Sequence, residues 1–233
     1  GASAGGLEAI EGLFSNTPSE MKIAFCIVQH LAPERKSIMG SLLEKYTKMK
    51  IVEARDGMKI EPGCVYLNPP NRDVSIMNGR LILTEPTLPR GTHLPIDHFF
   101  RSLAEEKGDK SICIILSGTG TDGTLGMRAI KGAGGMAMAQ EETQAKYDSM
   151  PRSAIDTGLV DYVLPVEKMA EVLSKYVEHP YIVGPEKDLT AKEKFESHLQ
   201  KIFMLVRSTT GHDFSQYKQN TIRRRIERRM AVH

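Results

Sequence analysis

Only three cysteines occur in the 233 residues, Cys26, Cys64 and Cys113. The number is odd and the spacing is unlike that of a metal site, so the chain shows neither a disulfide framework nor a cysteine-bound zinc. Cys26 and Cys113 lie inside apolar runs, which points to buried free thiols in a reducing compartment. Cys64 has no base patterned near it and is read as a buried thiol rather than a nucleophile. No uninterrupted apolar stretch approaches the roughly 18 residues of a membrane span, so no membrane insertion is expected. The start lacks a basic region followed by an apolar core, which leaves secretion unsupported and favours a cytoplasmic protein. Internal repeats and low-complexity tracts are also missing.

Against these absences stands the composition of a globular protein, 40% hydrophobic and 26% charged. The length suits one domain with a large core plus an appendage, or two small domains. Net charge is +2 but unevenly spread: residues 190–233 hold ten Lys/Arg against four Asp/Glu, while residues 1–189 hold 21 against 25. The resulting +6 and −4 argue for two units. Gly1 opens directly in a turn that should follow a strand, so upstream residues are expected.

Hydrophobic patterning predicts an α/β fold with a doubly wound, mostly parallel sheet. Strand-like runs lie at 23–28, 51–54, 64–67, 112–116, 136–139 and 160–164. Between or after them, helical spacing appears at 7–14, 35–46, about ten residues from Ile96, 124–131 and 166–176. Asn78-Gly79 between alternating segments predicts an antiparallel hairpin inserted on the parallel sheet. The Pro- and Gly-containing stretch 84–95 reads as loop, and 180–187 as a linker. Thr190-Ala191-Lys192-Glu193 forms a capping box ahead of a helix carrying Phe195, Leu199, Ile202, Phe203 and Val206, with Gly211 as its stop. A second tail helix starts near Asn220 or Thr221.

Three polar residues stand at the ends of the strand-like segments. Ser3 occupies a G-x-S-x-G string, a turn that can lift a nucleophilic hydroxyl out of the fold, or simply a glycine-rich turn opening a helix. His30 ends the run 23–28 and can act as a base or sit as a hydrogen-bonded surface histidine. Asp122 lies between Gly120 and Gly123 and can orient the histidine or cap the following helix. In a parallel sheet these positions meet at one rim, where open α/β folds place their sites. The chain order Ser, His, Asp differs from that of the α/β-hydrolases.

Several further features compete. Gly118-Thr119-Gly120-Thr121-Asp122-Gly123 matches G-x-G-x-x-G after a strand, with Glu141 following 18 residues later, as a dinucleotide site would ask. That reading puts a carboxylate beside a pyrophosphate and leaves Ser3 and His30 without a role. His93 and His98 could be imagined as metal ligands but have no patterned third ligand, and no metal site is expected. The arginines at 223–229 lack interleaved aromatics, while Ile222, Ile226 and Met230 form an apolar stripe beside them. A solvated face or an acidic protein surface suits this better than nucleic acid. Arg72 and Arg152 are candidates for steering an acidic substrate.

Taken together, residues 1–6, Val28-Gln29-His30-Leu31-Ala32-Pro33, the 117–123 string and Met150-Pro151-Arg152 resemble the catalytic domain of the CheB chemotaxis methylesterases. The resemblance implies that Ser3 is the nucleophile, His30 the general base and Asp122 the orienting acid. The loop around Ala4, Thr119 and Gly120 would then support the oxyanion, in hydrolysis of glutamyl methyl esters on chemoreceptor cytoplasmic helices without a cofactor. Glutamine amides are a further substrate by the same chemistry. Thr119 stands where members often have methionine, and Ala4 where several have threonine. The tail residues Phe214-Ser215-Gln216-Tyr217-Lys218 and 220–230 are similar to the start of the helical N-terminal domain of CheR methyltransferases. The expected organisation is a methylesterase domain at 1–178, a linker at 179–189 and a partial helical segment at 190–233. No S-adenosylmethionine-binding domain is present, so no methyl transfer is expected from this chain. The remaining alternatives are a dinucleotide-binding module and a non-catalytic receptor-binding domain.

Overall fold

The computed structural model describes residues 1–30, 39–86, 93–178 and parts of 199–230. The chain divides into two compact units, Gly1–Val177 and Glu178–His233. Among the described residues the first carries eight strands: β1 (Phe25–Ile27), β2 (Lys50–Glu53), β3 (Cys64–Leu67), β4 (Asp73–Met77), β5 (Arg80–Thr84), β6 (Ile112–Ile115), β7 (Met136–Gln140) and β8 (Tyr162–Leu164). Six helices accompany them: α1 (Gly6–Ser15), α2 (Met39–Leu43), α3 (Pro95–Lys107), α4 (Thr124–Gly132), α5 (Ser149–Ile155) and α6 (Val166–Glu178).

Two three-stranded parallel sheets form, in the orders β1-β3-β2 and β6-β7-β8. Residues 1–3 lie between them. The Ala2 amide donates to Val28 O at 3.1 Å, and on the other side the Leu116 amide donates to Gly1 O at 2.9 Å and the Ser3 amide to Ser117 O at 3.0 Å. The short leading segment thereby joins both sheets, and its carboxyl end emerges among the ends of β1 and β6.

Period-2 alternation explains the two buried faces. Val28, Cys64, Tyr66, Cys113, Ile115 and Ala137 share one core cluster with Ile96, Phe99 and Phe100 of α3, Met127 and Ile130 of α4, and Met150 and Ala154 of α5. The intervening residues Ile27, Val65, Leu67, Met136 and Met138 are also buried, and Phe25 meets Phe14 of α1 edge-on at 5.1 Å between ring centroids. Every residue of β7 is buried, as expected of a strand covered on both sides. Burial pushes the thiols of Cys26 and Cys113 up to about 12, so neither supplies a thiolate at neutral pH.

The hairpin forms as patterned, with β4 and β5 antiparallel and Asn78 and Gly79 at φ 52° and 71°, the left-handed pair that a two-residue turn of this type requires. Elsewhere the structure shifts the expected boundaries. Strand β1 is shorter than 23–28 because it pairs only across Phe25–Ile27. Helix α3 begins at Pro95, whose missing N–H is harmless in a first turn. It runs for 13 residues rather than ten, until Gly108 ends it. Helix α5 has no counterpart among the expected elements; Pro151 falls in its first turn, where proline is tolerated.

Helices α3 and α4 pack against each other, and Gly126 is where they approach. A methyl added there would lie 2.6 Å from Phe100 Cβ and 2.9 Å from Asp97 O. Gly126→Ala is therefore expected to lower unfolding free energy by about 1–3 kcal/mol, the usual range for overpacking, measured by urea denaturation.

In the second unit, residues 202–206 and 208–210 are helical and Gly211 has φ 75°, the left-handed conformation of a helix stop. The linker 180–187, the capping box 190–193, Phe195, Leu31-Ala32-Pro33, the first half of the expected helix 35–46, loop residues 87–92 and Arg223, Arg224 and Arg228 lie outside the described residues. Among the described residues no helix is long and apolar enough to cross a membrane.

Candidate active site

The site is built at the carboxyl rim from three adjacent strand ends. Ala2 and Gln29 are parallel bridge partners, so Ser3 and His30 each follow directly on a paired position of two neighbouring segments. The end of β1 is fixed from the other flank by Asn68, which follows β3: its Oδ1 accepts the Gln29 amide at 2.9 Å and its Nδ2 donates to Gln29 O at 3.0 Å.

His30 Nε2 lies 2.7 Å from Asp122 Oδ2. A carboxylate only accepts, so the imidazole carries its proton on Nε2 and leaves Nδ1 as the basic nitrogen. The pair is graded in exposure: the histidine side chain is 36% accessible and the aspartate 1%. A water-shielded carboxylate thus holds an imidazole that solvent can reach.

Asp122 is itself held by the start of α3. Oδ2 accepts the Ile96 amide at 3.0 Å and Oδ1 the Asp97 amide at 2.8 Å. First-turn helix amides are unsatisfied donors at the positive end of the helix dipole, a ready anion site. The sequence alternative had Asp122 capping the helix that follows it; the structure has it capping α3 instead. Reciprocally, Asp97 of α3 reaches α4, its Oδ1 accepting the Gly126 amide at 2.6 Å. The two helix starts exchange carboxylates, which locks the loop bearing Asp122 to α3. Pro95 was the available signal for this anchor, since it marks a helix start whose amides need an acceptor.

The Asp97 carboxyl is buried, and Oδ2 has no hydrogen-bond partner. Burial raises its pKa, against the Gly126 amide, and the nearby Asp122 charge adds to the rise. The folded state therefore binds this proton more tightly than the unfolded state, and stability falls as pH rises from the unfolded value towards the folded one. Asp97→Asn removes that titration. Its stability relative to the parent is expected to improve from pH 4 to pH 7 in urea denaturation.

The Ser3 hydroxyl makes no hydrogen bond among the described residues; the bond to His30 that the triad reading calls for is not formed. Catalytic hydrogen bonds are often loose without substrate and close in the reacting complex. The backbone around Ser3 is tightly set. Ser117 Oγ donates to Ala4 O at 2.8 Å and accepts the Tyr147 amide at 3.0 Å, while Gln140 Oε1 accepts the Ser117 amide at 2.8 Å. These supports carry no motif of their own and were not foreseen.

Gly118 is demanded by packing. A Cβ there would overlap Met150 Sδ and stand 3.0 Å from Ser3 Cβ, and its amide donates to Tyr147 O at 2.9 Å. This gives the first glycine of the G-x-G-x-x-G string a role unrelated to a nucleotide. Beyond it, Thr119 and Gly120 are exposed. The amides of Ala4, Thr119 and Gly120 donate to no acceptor among the described residues.

Arg72 and Arg152, the candidates for steering, are already engaged. Arg72 pairs with Glu85 at 2.9 Å, and Arg152 pairs with Glu142 at 2.7 Å and also with Asp148. His93 pairs with Asp73, and His98 sits within α3. Among the described residues no group of three or more His, Cys, Asp or Glu could hold a metal ion.

Fold and site together define an α/β domain whose candidate site residues gather at the carboxyl rim of a parallel sheet. Residues 1–173 match the family model described as CheB methylesterase, and residues 197–233 match that of the CheR methyltransferase all-alpha domain. The Thermotoga maritima CheB methylesterase catalytic domain superposes with a TM-score of 0.70 at 30% identity, covering 75% of this chain and 94% of that one. A Leptospira interrogans protein named putative protein-glutamate methylesterase/protein-glutamine glutaminase is 35% identical over 181 residues, 74% of this chain and 90% of its own. An uncharacterized 104.1 kDa protein of Rhodobacter capsulatus is 36% identical over 214 residues, 83% of this chain but 22% of its own. A Pyrococcus horikoshii protein-glutamate methylesterase/protein-glutamine glutaminase is 32% identical, with 49% of its length covered.

The chain belongs to the CheB methylesterase family of carboxylic ester hydrolases, and its C-terminal segment is similar to the CheR all-alpha domain.

Proposed function

We propose that residues 1–178 hydrolyse γ-glutamyl methyl esters on chemoreceptor helices through a Ser3-His30-Asp122 triad and an acyl-enzyme. The observation that carries this reading is the 2.7 Å contact of His30 Nε2 with a buried Asp122, with Ser3 and His30 following the bridged residues Ala2 and Gln29. Ser3 Oγ attacks the ester carbonyl carbon as its proton passes to His30 Nδ1, and Asp122 stabilises the imidazolium. The carbonyl electron pair moves onto oxygen, where the free amides of Ala4, Thr119 and Gly120 are the available donors. Collapse breaks the bond to the methoxy oxygen, which takes the proton from His30 and leaves as methanol. Water then attacks the Ser3 ester with His30 again as base, regenerating the hydroxyl and releasing glutamate.

The same steps on a glutamine side chain expel ammonia in place of methanol, as the names of the relatives lead one to expect. On this reading the protein works in the cytoplasm, with methylated receptor helices as its partners. Incubation with a receptor fragment methylated in its cytoplasmic helices is expected to release methanol stoichiometric with the glutamate formed. Saturable dinucleotide binding without methanol release would favour the nucleotide-binding alternative, and receptor binding without turnover a non-catalytic domain.

A further inference from the structure

Tyr147 is a large apolar side chain left 44% exposed, and its place in the fold brings it beside the nucleophile. Its carbonyl accepts the Gly118 amide at 2.9 Å, and Gly118 itself stands against Ser3. Its ring lies over the turn that carries Ser3: a Cβ on Gly5 would be 3.2 Å from Tyr147 Cδ2 and 2.9 Å from Lys146 Cβ. Gly5 leaves room for the ring, and the neighbouring Lys146 is tied across to Glu8 of α1 at 2.9 Å. The Ser117 hydroxyl fixes the Tyr147 amide from beneath. The ring is therefore held at the rim by bonds to its backbone and neighbours, while much of its surface faces solvent.

We infer that Tyr147 is a substrate-binding wall, its ring packing on the methylene stem of the glutamyl ester as the ester carbonyl reaches Ser3. The inference rests on the esterase reading above and adds a specificity residue to it. The substrate it fits is an uncharged glutamyl or glutaminyl side chain on a helix, whose stem is apolar and whose polar end alone must meet the backbone donors. An aromatic ring suits this because it offers a large rigid surface at little entropic cost and tolerates a wet edge. No sequence motif singles out this residue, since its place at the site comes from tertiary contacts with Gly5, Ser117 and Gly118.

The test is steady-state methanol release from a methylated receptor-helix peptide by the full chain and its Tyr147→Ala and Tyr147→Phe variants. Tyr147→Ala is expected to raise KM about tenfold with kcat within about twofold, since the contact is made equally in bound substrate and transition state. Tyr147→Phe is expected to restore the parent KM, because the ring surface and not the hydroxyl makes the contact. A KM unchanged in Tyr147→Ala would overturn the inference, as would a loss confined to kcat or a Tyr147→Phe variant as impaired as Tyr147→Ala. If the parent releases no methanol, the esterase reading fails and takes this inference with it. An active parent with an unmoved KM sinks the inference alone.

Discussion

Ser3→Ala is expected to abolish methanol release, with kcat falling by on the order of a thousandfold or more, while thermal and urea unfolding stay close to the parent. The two outcomes separate cleanly because the Ser3 side chain contributes so little to the fold. It is partly exposed and its hydroxyl holds no hydrogen bond among the described residues; its backbone amide, bonded to Ser117 O at 3.0 Å, is untouched by the change. Alanine also fits the space, since the Ser3 Cβ that meets Gly118 is retained. A variant that loses activity together with its fold would assign Ser3 a structural part that this packing does not provide.

Asp122→Asn is expected to cost more than activity. Oδ2 accepts from both His30 Nε2 and the Ile96 amide, and Oδ1 from the Asp97 amide. An asparagine must place its NH2 in one of these positions. On the Oδ1 side it opposes the Asp97 amide, donor against donor. On the Oδ2 side it opposes the Ile96 amide and can satisfy His30 only by donating to Nε2, which moves the imidazole proton to Nδ1 and removes the base. In the second arrangement kcat is expected to fall by on the order of 10³–10⁴, as it does when a triad acid loses its tautomer control. In either arrangement a buried donor is left unpaired, with an expected loss of about 1–3 kcal/mol in unfolding free energy. Activity measured beside urea denaturation reads both effects.

Much of this architecture is legible in the residues because local pattern and tertiary role agree. Asn78-Gly79 between alternating segments has one good conformation and adopts it. The runs at 64–67, 112–116 and 136–139 are apolar on both faces because the strands are covered on both. What the pattern does not carry is lateral order. Strand β3 lies between β1 and β2, and nothing in the composition of three short apolar runs states which is central. Nor is it stated that residues 1–3 join the two sheets, although this is what brings the Ser3 turn to the end of β1.

At the site, His30 and Asp122 are readable as polar residues that end strands, and their contact follows once the strands share a rim. The hold on Asp122 is less readable. It depends on α3, which starts about 25 residues earlier in the chain, and on backbone amides, which any sequence supplies. Asp97 belongs to the same class: a carboxylate inside an apolar helix face reads as an exposed charge until α4 is brought against it. Tyr147 is visible only through its tertiary contacts with Gly5, Ser117 and Gly118. The arginines at 72 and 152 illustrate the opposite difficulty, because a basic residue near a cleft reads the same whether it awaits a substrate or pairs with Glu85 and Glu142.

The most direct measurement is covalent labelling with a serine-directed fluorophosphonate, followed by digestion and mass mapping of the adduct. The account predicts a single phosphonyl group on Ser3, lost in Ser3→Ala and strongly slowed in His30→Ala. No adduct on a folded chain, or an adduct on another residue with Ser3 unmodified, would contradict it.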